Sequence, residues 1–321
     1  MPALRTISVS TLQRDPRVAY LLVNLATLLW SSNVALGRLL RDQIGPVTLT
    51  AARFTLGSLL FAVLLQRASP RGHAERSPFT RRELLILGGM GLSGVFTFPI
   101  LLYFSLRYTT ATNVALINGT GPLLTLLLAA AFLGERVNLA LSLGGLISLT
   151  GVALLISGGT ATGQISILGF NRGDGLALLA VALWGVYSIL GRLATRRHSS
   201  LRVSAISAWM ALPLLLVAAI LEWRVNPPQL TPQVLLSAVY IGIFPTVIAF
   251  LSWNEGVRRV GPNQAMAFYN TLPVFGAMLG YFFLGETLSA QTLLGGLLVI
   301  GGGLLAALYG SRPRNERSER D

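Results

Sequence analysis

The side chains able to do chemistry in this chain are few, and several fall in matched pairs. Asn118-Gly-Thr120-Gly precedes Pro122, and Tyr269-Asn270-Thr271 precedes Pro273, each inside a long apolar run. A proline within a helix removes a donor and releases a carbonyl, so a polar patch beside it can hold a small solute. A kink needed only for packing, with the polar groups bonded to neighbouring helices, is the alternative. Trp30, Asn33, Tyr103, Trp184, Tyr187 and Trp253 are also stranded in apolar runs. Polar groups are costly in lipid, so these are expected to face a bundle interior or a wet cavity. The three tryptophans suit interface anchoring equally well. Uncharged donors, acceptors and ring faces dominate the set, which fits a neutral or zwitterionic solute.

Charged candidates are rarer still. Arg53 is the one arginine well within an apolar run; it can snorkel to the surface, bond to carbonyls of a neighbouring helix, or meet an anionic group on a solute. Glu255, about one turn from the end of its run, is the protonatable candidate for coupling or gating, and pairing with Arg258 or Arg259 is its structural alternative. Gly134-Glu135 and Gly285-Glu286 each close an apolar run. A glycine suits a helix end, and a carboxylate just before the next helix can accept its free N–H groups; proton coupling is the alternative role.

Enzyme chemistry lacks parts. There is no cysteine, both histidines (His73 and His198) lie in arginine-rich loops, and no two carboxylates are paired at helical spacing. Neither metal nor acid–base chemistry is served by that inventory, and no cofactor is called for. Gly301-Gly302-Gly303 has no following Lys-Ser/Thr, so no phosphate loop drives transport by nucleotide hydrolysis.

The elements that position these residues follow from composition. Of 321 residues 53% are hydrophobic and 12% charged, about half the roughly 25% charge of a soluble domain. A bilayer core needs about 20 apolar residues of helix, and ten such runs span 19–40, 46–66, 83–106, 111–133, 139–157, 174–194, 202–222, 234–257, 262–284 and 289–310. Their length without strict alternation excludes a barrel. The net charge of +13 comes from arginines clustered between the runs, a membrane-loop pattern rather than a nucleic-acid one. With a cytoplasmic N-terminus, 19 arginines fall inside and five outside, with Arg53 in a span. Both termini are therefore expected in the cytoplasm. All 25 basic residues are arginine, which with abundant Ala, Gly and Leu hints at a GC-rich bacterial genome, and the expected location is the bacterial inner membrane.

An internal repeat organises the whole. A shift of 151 aligns Pro122 with Pro273, Phe132-Leu133-Gly134-Glu135 with Phe283-Leu284-Gly285-Glu286, Gly144-Gly145 with Gly295-Gly296, and Gly151 with Gly302. A slightly larger shift aligns Trp30 with Trp184 and Gly37-Arg38-Leu39 with Gly191-Arg192-Leu193. Because five is odd, the second set of five helices must enter from the opposite side. The expected fold is thus all-α and integral to the membrane, with ten transmembrane helices in two inverted five-helix repeats, the arrangement of secondary transporters. A tail (1–18), a first repeat (19–157), an external linker (158–173), a second repeat (174–310) and a C-terminal tail (311–321) complete the division.

At this level the residues fit a family pattern. Trp253-Asn-Glu-Gly-Val-Arg-Arg-Val-Gly261, Pro273, Leu284-Gly285-Glu286 and Gly295-Gly296 resemble the second half of the EamA family of the drug/metabolite transporter superfamily. Leu106-Arg-Tyr-Thr-Thr-Ala-Thr-Asn113, Pro122, Leu133-Gly-Glu-Arg136 and Trp30-Ser-Ser-Asn33 with Arg53 echo the first half. The resemblance covers almost the whole chain. It implies a central cavity and the export, or sometimes uptake, of amino acids and related metabolites without ATP. Carried over by position, the substrate-binding candidates are Trp30, Asn33, Tyr103, Asn118, Trp184, Tyr187, Trp253, Tyr269 and Asn270. Expected partners are a small-molecule substrate and the lipid bilayer. Proton coupling stays open, as does the choice between monomer and homodimer; a sugar-phosphate or nucleotide-sugar carrier is the alternative substrate class.

Overall fold

The computed structural model describes residues 16–67, 78–121, 123–124, 127–128, 131, 139–157, 171–195, 197–260, 268–269 and 271–309. Pro122, Gly134, Glu135, Gln264 and Asn270 lie outside them, as does most of the expected linker.

Helix α1 is Pro16–Leu40 and α2 is Pro46–Arg67. Helix α3 is built of three pieces, Arg81–Met90, a π-helical segment Gly91–Thr97, and Phe98–Ser105. The described part of α4 is Ala111–Asn118, followed by α5, Leu139–Ser157. Next come α6, Arg172–Ala194, and α7, Ser200–Trp223. Helix α8 repeats the three-piece construction, with Pro232–Ile243, a π-helical segment Phe244–Ile248, and Ala249–Val260. Helices α9, Thr271–Leu284, and α10, Ala290–Tyr309, complete the described set.

Local chemistry starts several of these helices. Thr80 with Glu83, and Asn171 with Asp174, form reciprocal capping boxes on α3 and α6, and Thr110 and Thr231 cap α4 and α8. Each cap satisfies a donor that the first turn leaves without an intrahelical partner.

Six helices among the described residues are long and apolar enough to cross a membrane: Arg17–Leu40, Pro46–Arg67, Arg81–Ser105, Arg172–Gly191, Ser200–Trp223 and Pro232–Trp253. Thr271–Leu284 and Ala290–Leu305 are shorter apolar helices. The polarity of the molecule is inverted relative to a water-soluble fold. Leu21, Leu85 and Phe283 are largely exposed, while Thr27, Ser31, Asn33 and Arg53 are buried. An apolar exterior with polar side chains withdrawn into an otherwise apolar interior is what a lipid solvent selects.

Helix pairing follows a regular scheme. Helix α5 packs along α10, α2 on α7, and α4 on α9. Helix α1 packs on α8 and α9, and correspondingly α6 packs on α3 and α4; α2 meets α8 as α7 meets α3. Exchanging α1–α5 with α6–α10 maps this scheme onto itself. Glycine makes the closest approaches. A Cβ on Gly151 would stand 2.6 Å from the Gly295 carbonyl oxygen, and one on Gly302 would stand 2.5 Å from that of Gly144. A Cβ on Gly276 would meet the Ala115 side chain at 2.1 Å, so the Gly276-x-x-x-Gly280 face is a packing surface against α4.

Glu286 behaves differently from the expectation that it caps its successor. Its carboxylate accepts hydrogen bonds from the Ala111 and Thr112 backbone N–H groups (2.8 and 2.9 Å) and the Thr112 hydroxyl, at the start of α4. Two features explain this. Gly285 adopts a positive φ of 66°, turning the chain at the end of α9, and Ser289 already accepts from the Thr292 N–H at the start of α10. Glu222, at the end of α7, makes the same contact with α2, accepting from the Val47 and Thr48 N–H groups and the Thr48 hydroxyl. Each carboxylate meets the positive end of a helix in the other half of the chain.

Candidate functional site

At the centre of the helices lies a cavity of about 510 Å³ of free space, open solvent at its mouth included. Helix α1 supplies Trp30, Asn33 and Val34; α2 supplies Arg53 and Phe54; α3 supplies Gly94, Phe98, Pro99 and Leu102. Asn118 comes from α4, Trp184 from α6, Phe250 from α8, and Tyr269 and Leu272 from the α9 region. Both halves of the chain therefore build the wall.

One side of the wall is a ring cluster centred on Trp30. Its centroid lies 5.5 Å from that of Trp253, 5.7 Å from Phe250, 6.0 Å from Trp184 and 6.1 Å from Tyr269. Trp184 continues the cluster, stacked on Tyr187 at 4.9 Å and tilted on Phe98 at 5.1 Å. The Trp30 indole N–H is fixed by the Pro245 carbonyl in the π segment of α8, at 3.1 Å. These tryptophans converge inside the molecule, so interface anchoring does not describe them.

The other side is polar. Arg53 is 4% exposed. Its Nε donates to the Thr246 hydroxyl at 3.0 Å, and Nη1 donates to Tyr103 Oη at 3.2 Å and Asn33 Oδ1 at 3.4 Å. Tyr103 donates in turn to Asn33 Oδ1 at 2.5 Å. Thr246 donates to the Ile241 carbonyl five residues back, a bond that places its oxygen toward α2. The guanidinium also lies over the Phe54 ring, 4.9 Å from its centroid. Arg53 thus neither snorkels nor bonds to backbone; it joins α1, α2, α3 and α8 through neutral side-chain oxygens at the cavity wall.

The π segments shape this site. An extra residue in a helical turn shifts the side chains that follow and loosens the backbone ladder, a feature frequent at functional sites. In α3 the segment carries Gly94, whose missing side chain leaves room for Tyr187; a Cβ there would lie 2.2 Å from that ring. In α8 it carries Pro245 and Thr246, the partners of Trp30 and Arg53. In α4 the chain tightens at Gly119 and Thr120, whose N–H groups bond carbonyls three residues back. The interruption in the described residues thus lies just beyond Asn118, ahead of Pro122. The Pro273 ring packs against Gly119, and the Ser31 hydroxyl donates to the Leu272 carbonyl at 2.9 Å.

Of the residues the sequence singled out, the structure brings Trp30, Asn33, Asn118, Trp184, Tyr269 and Arg53 to the cavity wall. Tyr103, Tyr187 and Trp253 stand directly behind it, touching residues that line it. Tyr187 lines a smaller adjoining cavity with Ser204 and Thr246. Glu255 lies half-buried in the last piece of α8 and has an interaction partner, apart from the lining residues; the side chains of Arg258 and Arg259 are outside the described set. His198 is buried against Phe79 at a loop, with Nε2 3.5 Å from Glu83, far along α3 from the cavity. Phe98, Phe250, Thr246 and Leu272 were not singled out. Pro99 beside Phe98 and Pro245 beside Thr246, prolines within apolar runs, offered a signal.

A multi-helix membrane scaffold around a mixed aromatic and polar cavity defines a transporter class, and the sequence comparisons agree. Residues 17–157 and 171–308 match the EamA-like transporter family, and the chain belongs to it. It is a multi-pass membrane protein of a transporter family. It is 28% identical over 286 residues to a probable terminal-alkyne amino-acid exporter of Streptantibioticus cattleyicolor, covering 88% of this chain and 90% of that one. It is 29% identical to the uncharacterised transporter YyaM of Bacillus subtilis, over 68% of this chain and 71% of that one. A solved crystal structure 26% identical superposes with a TM-score of 0.62, over 91% of this chain and 97% of its own.

Proposed function

We propose that the chain is a secondary carrier that exports a small polar metabolite, an amino acid or a derivative, across a bacterial inner membrane by alternating access. The observation that carries this reading is the central cavity, built by α1–α4 from one half and α6, α8 and α9 from the other. A solute bound between two halves is released to either side when one half moves on the other.

The helices are read as ten spans in two inverted repeats, 19–157 and 174–310, joined by an external linker at 158–173. The self-mapping of the helix pairs supports this, as do the reciprocal contacts of Gly151 with Gly295 and Gly302 with Gly144. The arginine asymmetry favours both termini in the cytoplasm. A relative named as a probable amino-acid exporter favours amino acids as the solute class.

Flux of a panel of labelled amino acids into proteoliposomes tests the reading, at equal and unequal pH across the membrane. Saturable flux of at least one member is expected, absent from empty liposomes. Absence of flux for the whole panel overturns the solute class.

A further inference from the structure

We infer that Arg53 is the docking point for a carboxylate on the transported solute, so that this carrier takes monocarboxylates and discriminates against their uncharged amides. The inference deepens the carrier reading and rests on it.

Among the described residues, no carboxylate is paired with this cation at the cavity wall. Each acceptor it has among the described residues is neutral: the Thr246 hydroxyl, the Asn33 amide oxygen and the Tyr103 phenol oxygen. Three carboxylates at the described helix ends have other work. Glu222 and Glu286 hold the starts of α2 and α4, and Asp174 accepts from Thr109 and Asn171 at the start of α6. A buried charge without a counter-ion is expensive, and a solute that supplies one gains what the empty site lacks.

Geometry favours one carboxylate over a phosphate. The bonds through Nε and Nη1 hold the guanidinium plane in place and leave Nη2 to donate to a carboxylate oxygen. One cation neutralises one negative charge, whereas a phosphate dianion would bring a surplus. The Trp30 and Trp184 rings across the cavity supply π faces that can meet an ammonium or an apolar side chain without a second carboxylate.

The test uses the full-length protein in proteoliposomes, with labelled leucine, serine and phenylalanine as solutes and their unlabelled acids and carboxamides as competitors. In the wild type each carboxamide is expected to compete at least about tenfold more weakly than its acid, the factor a hydrogen bond to a charged group supplies. In Arg53→Gln the two should compete alike, and Arg53→Lys should keep part of the preference. A purely structural role for Arg53 would lower flux without moving the acid-to-amide ratio. Equal competition in the wild type, or an undiminished acid preference in Arg53→Gln, overturns the inference while leaving the carrier intact. The wild-type comparison needs no variant, so a poorly folded Arg53→Gln does not rescue it. Flux of none of the three labelled acids, in the proteoliposomes that test the carrier reading, overturns the amino-acid solute class, and this inference with it.

Discussion

The α5–α10 pair and the cavity wall both draw on positions that match when the sequence is shifted on itself, yet they are put to opposite uses. Between α5 and α10, Gly144, Gly151, Gly295 and Gly302 bring two backbones together, and each half contributes the same residue at the same place. In the wall the matching positions have diverged: Trp30 and Trp184 correspond, but Asn33 in α1 faces a position held by Tyr187 in α6, and Arg53 in α2 stands where α7 offers serines such as Ser204 and Ser207. Packing that depends on close backbone approach tolerates little variation. A cavity that must bind an asymmetric solute requires it, because two identical walls cannot tell one end of the solute from the other.

The sharpest way to break this comparison is at the glycines. Gly302→Val puts side-chain atoms where 2.5 Å is available beside a backbone oxygen, so a loss of about 3 kcal/mol is expected; thermal unfolding of the detergent-solubilised protein measures it. At the wall the same measurement should barely move. Asn118→Ala is expected to cut flux about tenfold, the worth of one or two hydrogen bonds, with membrane abundance unchanged. Normal flux in that variant would remove Asn118 from the site.

The carboxylate contacts are next. Glu286→Ala strips the N-terminal groups of α4 of their acceptor, at a cost of about 2 kcal/mol. Glu222→Ala should cost a similar amount at α2, where it also releases the Thr48 oxygen that accepts from the Trp223 indole. A large inequality between the two would show that these two contacts between the halves are not equivalent. Trp30→Phe keeps the ring cluster but loses the bond to the Pro245 carbonyl, worth about 1 kcal/mol; unfolding of that variant reads the contribution of the π segment's anchor. Smallest is Thr80→Ala, which removes one exposed cap of α3; about 0.5 kcal/mol is expected, with flux unaffected.

The sequence was most legible where a residue type conflicts with lipid. Trp30, Asn33, Arg53, Tyr103, Asn118 and Tyr269 were identifiable because a polar or cationic group inside an apolar run must find an interior partner. Apolar wall residues carry no such conflict, and Phe98, Phe250 and Leu272 look like any other side chain of their helices. The π segments were invisible for a related reason. Gly91 and Gly94 in α3, and Pro245 in α8, are common enough in membrane helices that nothing marks an added residue in the turn. Spacing also misled at Glu286. Four residues before α10, it reads as that helix's cap, but which helix start lies beside it is fixed by the turn at Gly285 and by the tertiary pairing of α4 with α9.

The central claim is that this cavity opens to each side of the membrane in turn. The chain has no cysteine, so a single Leu272→Cys on the cavity wall can be probed directly with a membrane-impermeant maleimide in vesicles of known orientation. Modification from either face, slowed from both by a transported amino acid, is the result predicted. Modification from one face only, or from neither, in protein that still carries solute would contradict it.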